Sequence, residues 1–250
     1  MIKLDNVSKS FGDNTVLDNI SASFEQGKTN LIIGQSGSGK TVLLKCIVGL
    51  HEIDKGTIMY DEGFFSGLSF KKRAPIRKQT GMVFQGGALF DSSTVEENVI
   101  FPLDIFTNMS AEEKRDRANF CLKRVDLENV NKLYPSEISG GMKKRVAIAR
   151  AISLKPKYLF CDEPNSGLDP ITSNIIDNLI KEITIDYDIT TVINTHDMNS
   201  VMEIGDKIIF ISKGKKYWEG TKEEILETNE EELNTFIFAT ELMKKIRKNK

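Results

Sequence analysis

The chain has 250 residues, of which 40% are hydrophobic and 28% charged, with a formal net charge of −2. That length accommodates one large α/β domain, or a core with a smaller lobe inserted. The near-neutral charge excludes a nucleic-acid binder built on a dominant basic face, and no apolar run is long enough to span a bilayer.

Residues 2–10 and 16–25 alternate polar and apolar, and read as two strands about the turn Gly12-Asp13-Asn14. The start, Met1 to Asn6, is polar and reads as no signal peptide. The apolar run Asn30-Leu31-Ile32-Ile33 predicts a buried strand. It leads directly into Gly34-Gln35-Ser36-Gly37-Ser38-Gly39-Lys40-Thr41, a complete GxxxxGK[ST] phosphate-binding loop. Glycines let successive backbone N–H groups turn inward as an anion cradle. From Lys40, the spacing of Val42, Leu43, Leu44, Ile47, Val48 and Leu50 predicts a helix, with its positive end aimed at the same phosphates. Lys40 is then a point charge for the β- and γ-phosphates of ATP, and Thr41 offers a hydroxyl to Mg²⁺.

Residues 55–84 read as strand-like, ending at Gly81-Met82-Val83-Phe84. From Gln85 to about Leu154 charged residues become dense and helical periodicity dominates, which predicts a helical lobe, about 86–154, inserted into the core. Strands return at Tyr158 to Cys161, Thr190 to Ile193 and Lys207 to Ile211, and this alternation implies a mainly parallel sheet with helices on its faces. Two acids, Asp162 and Glu163, follow the strand that ends at Cys161. Charges there are costly unless paired or bound to a cation. Strand alternation aims neighbours differently, so Asp162 is expected on Mg²⁺ and Glu163 on the attacking water as general base. The three cysteines, Cys46, Cys121 and Cys161, make no CxxC pair and read as small buried hydrophobes in a reducing cytosol.

Ile138-Ser139-Gly140-Gly141-Met142-Lys143-Lys144-Arg145, followed by an Ala-rich helical run, resembles the signature motif of ABC ATPases. Ser139 is placed to cap that helix, and Gly140 and Gly141 to expose N–H groups at its start, a second anion site. Met142 departs from the glutamine most members carry at that position. The resemblance covers residues 2–220. It implies a P-loop NTPase of the ABC type: a mainly parallel core sheet, an N-terminal antiparallel β subdomain and an inserted α-helical lobe. It also implies roles for particular residues. Gln85 looks like the glutamine that senses Mg²⁺, and His196 like the switch histidine at the γ-phosphate. Ser166-Gly167-Leu168-Asp169 looks like a dimer-contact loop. Phe11 resembles the aromatic that stacks on adenine, with Val16 beside it; a core position for Phe11 is the alternative.

In this family one nucleotide is shared by two chains, so the implied partners are a second copy and an integral membrane permease docked near Gly86 to Phe101. The SGGM variant, with Phe84 to Asp91, Asn98 to Leu103 and Cys161 to Pro170, is similar to the ATPases of Mla/Mce-type phospholipid transporters. That implies an MCE-domain protein and a small regulatory subunit as further partners, at the cytosolic face of the inner membrane. An importer ATPase for another solute, or a non-transport ABC regulator acting through a membrane partner, are the other readings. Residues 221–250 are expected to form a C-terminal amphipathic helical extension, packed on the core with a solvated end or, alternatively, docking a second ATPase or a small regulatory subunit: acids over 222–232, then Leu233, Phe236, Ile237 and Met243 at helical spacing, then a basic end from Lys244 to Lys250.

Overall fold

The computed structural model describes residues 1–238. Strands β1 (Ile2–Phe11) and β2 (Asn14–Phe24) pair antiparallel, from Ile2 opposite Phe24 to Phe11 opposite Asn14. With β4 (Lys55–Tyr60) and the short β5 (Gly63–Phe64) they make a four-stranded antiparallel sheet in the order β2-β1-β4-β5.

The second sheet has six strands among the described residues. β3 (Thr29–Ile33), β6 (Thr80–Val83), β7 (Tyr158–Asp162), β8 (Thr190–Thr195), β9 (Lys207–Ser212) and β10 (Lys215–Gly220) lie in the order β10-β9-β3-β8-β7-β6. All neighbours are parallel except β10, which returns antiparallel on β9. Both faces are buried, and the period-two pleat sorts the side chains between two cores. Leu31, Ile33, Leu159, Cys161, Ile208 and Phe210 join one core. Ile32, Tyr158, Phe160, Ile209 and Ile211 join the other, against the antiparallel sheet and α1 (Lys40–Ile47).

Between β6 and β7 the chain runs through α3 (Val95–Phe106), α4 (Ala111–Arg124) and α5 (Gly140–Ile152). Thr94 with Glu97, and Ser110 with Glu113, close reciprocal capping boxes that define where α3 and α4 begin. The crossovers after β7 and β8 are α6 (Pro170–Asp186) and α7 (Met198–Ile204).

Two sequence expectations change, and one strand is added to them. The stretch 55–84 is not continuous strand: Phe70–Lys78 forms a helix, α2, inside it. Its side chains are mostly basic, so it has no apolar stripe to announce it, and Pro75 argues against a helix on local grounds. Leu50 does not belong to α1, which ends at Ile47; Leu50 is exposed. The strand β10 lacks the buried run of its neighbours and has no counterpart in the sequence expectations. At the C-terminal end, α8 (Glu231–Ile237) places Leu233 and Ile237 in the same core as the lobe, and Phe236 packs on Phe210 with ring centroids 5.5 Å apart. Met243 and the basic end lie outside the described residues.

Candidate functional site

The phosphate loop connects the end of β3 to α1, as the sequence predicts. Gly39 is the N-cap of α1, with φ 107°. A β-carbon there would sit 2.9 Å from Leu17 Cδ2 and 3.0 Å from the Val16 carbonyl oxygen, so only glycine fits this approach to β2. The Lys40 ammonium donates to the carbonyls of Gly34 (2.8 Å) and Gln35 (3.1 Å), which ties it across the loop. Burial lowers its pKa, and the nearby carboxylates of Glu163 and Asp162 oppose that shift. Gly37 also has a left-handed backbone, and Ser36 lies on the exposed part of the loop. Ser38 Oγ is buried without a hydrogen-bond partner, an orphaned polar atom inside the loop.

Two polar clusters stand beside Lys40. In the first, Thr41 Oγ1 and Asn194 Nδ2 both donate to Asp162 Oδ1, at 2.9 and 3.1 Å. Asp162 is buried at the end of β7, and Asn194 Oδ1 has no partner. In the second, Gln85 Nε2 donates to Glu163 Oε2 at 3.2 Å, while His196 Nδ1 lies 3.1 Å from Glu163 Oε1. The structure thus brings Gln85, Glu163 and His196 together, from three segments far apart in sequence. Strand alternation does not aim Glu163, contrary to expectation. β7 stops at Asp162, and Glu163 takes a left-handed backbone with φ 47°, anchored by its N–H to the Asn194 carbonyl at 3.0 Å. A left-handed non-glycine residue is held there by its surroundings at some energetic cost.

A cleft of ≈ 750 Å³ opens beside Glu163 and His196, with Gln35, Ser166, Phe236 and Ile237 also in its lining.

Ser139 is the N-cap of α5 and accepts from the Met142 N–H at 3.2 Å, as expected. Among the described residues, no hydrogen bond or ion pair joins Ser139, Gly140 or Gly141 to the Lys40–Glu163 cluster. Gly141 also has a packing reason: a β-carbon there would lie 2.7 Å from Thr172 Cγ2 on α6. Asp169 caps α6, accepting from the N–H groups of Ile171 (3.1 Å) and Thr172 (3.0 Å). Phe11 is 46% exposed, so the core alternative does not hold. It meets His51 edge-on at 5.3 Å, with Lys9 Nζ 5.2 Å from its ring centroid.

Sequence reasoning misses Asn194 and Lys144. Asn194 follows the apolar pair Val192-Ile193 and stands two positions before His196, which is its only signal. Lys144, on α5, donates to the Gln85 carbonyl, while Arg150 donates to the carbonyls of Gly87 and Ala88 at 2.7 Å each. One helix therefore holds the backbone of the segment carrying Gln85. Burial lowers the pKa of both cations.

A phosphate loop on a parallel sheet, an acid pair at the next strand end but one, and a capped Ser-Gly-Gly helix define an ATP-binding, ATP-hydrolysing P-loop NTPase of the ABC type. The ABC transporter family model matches residues 17–166, and the chain belongs to that family. A methionine import ATP-binding protein of Clostridium tetani is 39% identical over 246 residues, 97% of this chain and 76% of that protein. An intermembrane phospholipid transport ATP-binding protein of Haemophilus influenzae is 36% identical over 230 residues, 92% of this chain and 87% of that protein. Among solved structures, a dimeric ATP-binding cassette in a post-hydrolysis state with ADP and Pi matches with a TM-score of 0.81 and 34% identity, over 89% of this chain and 99% of that one. Another, CbiO1 of Clostridium perfringens, described as part of the ABC transporter complex CbiONQ, matches with a TM-score of 0.84 and 27% identity, over 98% of each chain.

Proposed function

We propose that this chain hydrolyses ATP as one half of a pair and drives a phospholipid transporter of the Mla/Mce type from the cytosolic face of the inner membrane. The observation that carries the hydrolytic part is Glu163, held between Gln85 and His196 beside the buried Lys40. Glu163 takes a proton from water as that water's oxygen bonds to the γ-phosphorus. The bond to the bridging oxygen breaks, and ADP leaves with the electron pair. Lys40 and the loop N–H groups bind the phosphates, His196 and Gln85 orient the water, and Phe11 stacks on the adenine.

The donor set suits Mg²⁺. Thr41 and Asp162 present hard oxygen atoms already turned toward each other, and Mg²⁺ takes one or two protein oxygens beside phosphates and waters. Thr41 and Asp162, with Gln85, would hold the ion, which neutralises phosphate charge when bound.

Ser139, Gly140 and Gly141 complete the site of a second copy, and Asp169 lies at the contact between copies. The dimeric state of the solved relative supports this pairing. The permease docks in a groove of ≈ 400 Å³ at the open edge of the sheet, where Met82, Phe84, Phe90, Phe101 and Phe106 offer an apolar wall. Residues 1–220 are the ATPase domain and 221–250 an extension that meets the second copy or a small regulatory subunit; an MCE-domain protein completes the complex, and no nucleic acid is involved.

The Ser-Gly-Gly-Met signature and the relative matched over 87% of its length support phospholipid as cargo. Import of methionine is the second reading, favoured by identity: 39% to relatives of which the chain spans 76% and 60%. Co-purification with the permease, followed by mass spectrometry, separates them. Bound phospholipid supports the first. ATPase stimulation by methionine, with no lipid retained, supports the second.

A further inference from the structure

Asp177, in the middle of α6, is 2% exposed, yet its carboxylate makes no ion pair among the described residues. Its Oδ1 accepts from Asn165 Nδ2 at 2.6 Å, and the hydroxyl of Ser200 also hydrogen-bonds to it. Asn165 Nδ2 in turn lies 3.3 Å from Ser200 Oγ, so the buried Asp177 and Ser200 and the half-buried Asn165 close on one another.

The position of these groups gives the cluster its interest. Asn165 lies in the tight turn that contains Glu163: the Ser166 N–H donates back to the Glu163 carbonyl at 3.1 Å. Ser200 lies in the first turn of α7, the helix that begins directly after His196 and its neighbour Asp197. One carboxylate therefore underlies both the segment that carries Glu163 and the segment that carries His196. Asn165 Oδ1 is buried and unpaired, so the amide is oriented by its nitrogen alone.

A buried carboxylate is a poor choice for stability. Burial is the largest cause of its shift to about 6, and Asp197 and Glu203 push in the same direction. On β7, the Cys161 thiol is pushed up by burial and by Asp177 itself. An asparagine would fill the same space without a charge to bury. What the carboxylate adds is acceptance from two donors at once.

We propose that Asp177 is a positioning residue for hydrolysis, which sets the placement of Glu163 relative to His196 through Asn165 and Ser200. This rests on the reading that Glu163 and His196 act on the attacking water. In Asp177→Asn the acceptor facing the Asn165 amide is half replaced by a donor. The turn and α7 lose their common anchor while the core stays filled.

The test is steady-state phosphate release by the full chain, with thermal unfolding of each variant. Asp177→Asn is expected to lower kcat about tenfold, with KM for ATP within about twofold and a Tm equal to or above that of the parent. The exchange Asn165→Asp with Asp177→Asn restores one donor and one acceptor across the same gap, and is expected to recover most of kcat. An unchanged kcat in Asp177→Asn overturns the proposal. So does a loss of kcat and Tm together that the exchange fails to repair, since that marks a strut and nothing more. Glu163→Gln is measured alongside. If it loses turnover, the reading of the site holds and the Asp177 result stands or falls by itself; if it keeps full turnover, both are overturned.

Discussion

Gly141 of α5 and Thr172 of α6 touch so closely that a β-carbon on the glycine would lie 2.7 Å from the threonine methyl. The two helix starts are packed through this pair, independently of any phosphate. Gly141→Val is expected to destabilise the chain by about 1–3 kcal/mol, the usual cost of overpacking. Adding Thr172→Ser, which keeps the hydroxyl bonded to Asp169 and removes the methyl, should return most of that loss. Thermal unfolding checks both. A double variant as unstable as the single one would contradict the contact.

Glu163→Gln keeps the size of the side chain and removes its basicity. Turnover is expected to fall by about 10²–10⁴-fold with ATP binding retained. Phosphate release and equilibrium binding of ATP measure the two separately. Turnover close to that of the parent removes Glu163 from the role of base.

Lys40→Ala takes away an ammonium that the carbonyls of Gly34 and Gln35 hold in place. ATP affinity is expected to fall at least about tenfold, because charge-assisted bonds to phosphate are among the strongest available. Isothermal titration gives the answer directly, and an unchanged affinity would dissociate Lys40 from the nucleotide.

Stability should also depend on pH through Asp177. Its carboxyl is pushed up from 3.8 to about 6, so the folded chain keeps a proton that the unfolded chain has already released. The contribution is therefore most favourable below pH 3.8 and is lost as pH rises through 6. Above that window the ionised group costs up to about 3 kcal/mol. Asp177→Asn should accordingly lose less Tm than the parent as pH is raised from about 4 to about 7. Equal losses in the two proteins would show that Asp177 does not titrate there.

The phosphate loop is legible because its chemistry is local: glycine spacing, an apolar strand before it and an apolar helix after it all lie within one short segment. The partners of Glu163 are legible only through the family resemblance. Nothing in residues 85, 163 and 196 says that a parallel sheet brings them within hydrogen-bonding distance. The direction of Glu163 escapes strand alternation, because its left-handed backbone is imposed by β8 through the Asn194 carbonyl and not by its own strand. Helix α2 is hidden by its basic composition. Asn194 and Asp177 are hidden because a polar residue in an apolar stretch looks the same whether it faces water or a buried partner, and Lys144 because it stands in a basic run between Lys143 and Arg145.

The grip of α5 on the Gln85 segment has a mechanical consequence. Lys144 and Arg150 are six residues apart, about 9 Å along the helix, and between them they hold the carbonyls at 85, 87 and 88. Arg150 is also part of the groove wall at the open edge of the sheet. A load applied at that wall is applied to a stiff rod whose other grip is on Gln85, the residue hydrogen-bonded to Glu163. Force and chemistry then share one short lever, with no flexible joint between its two grips.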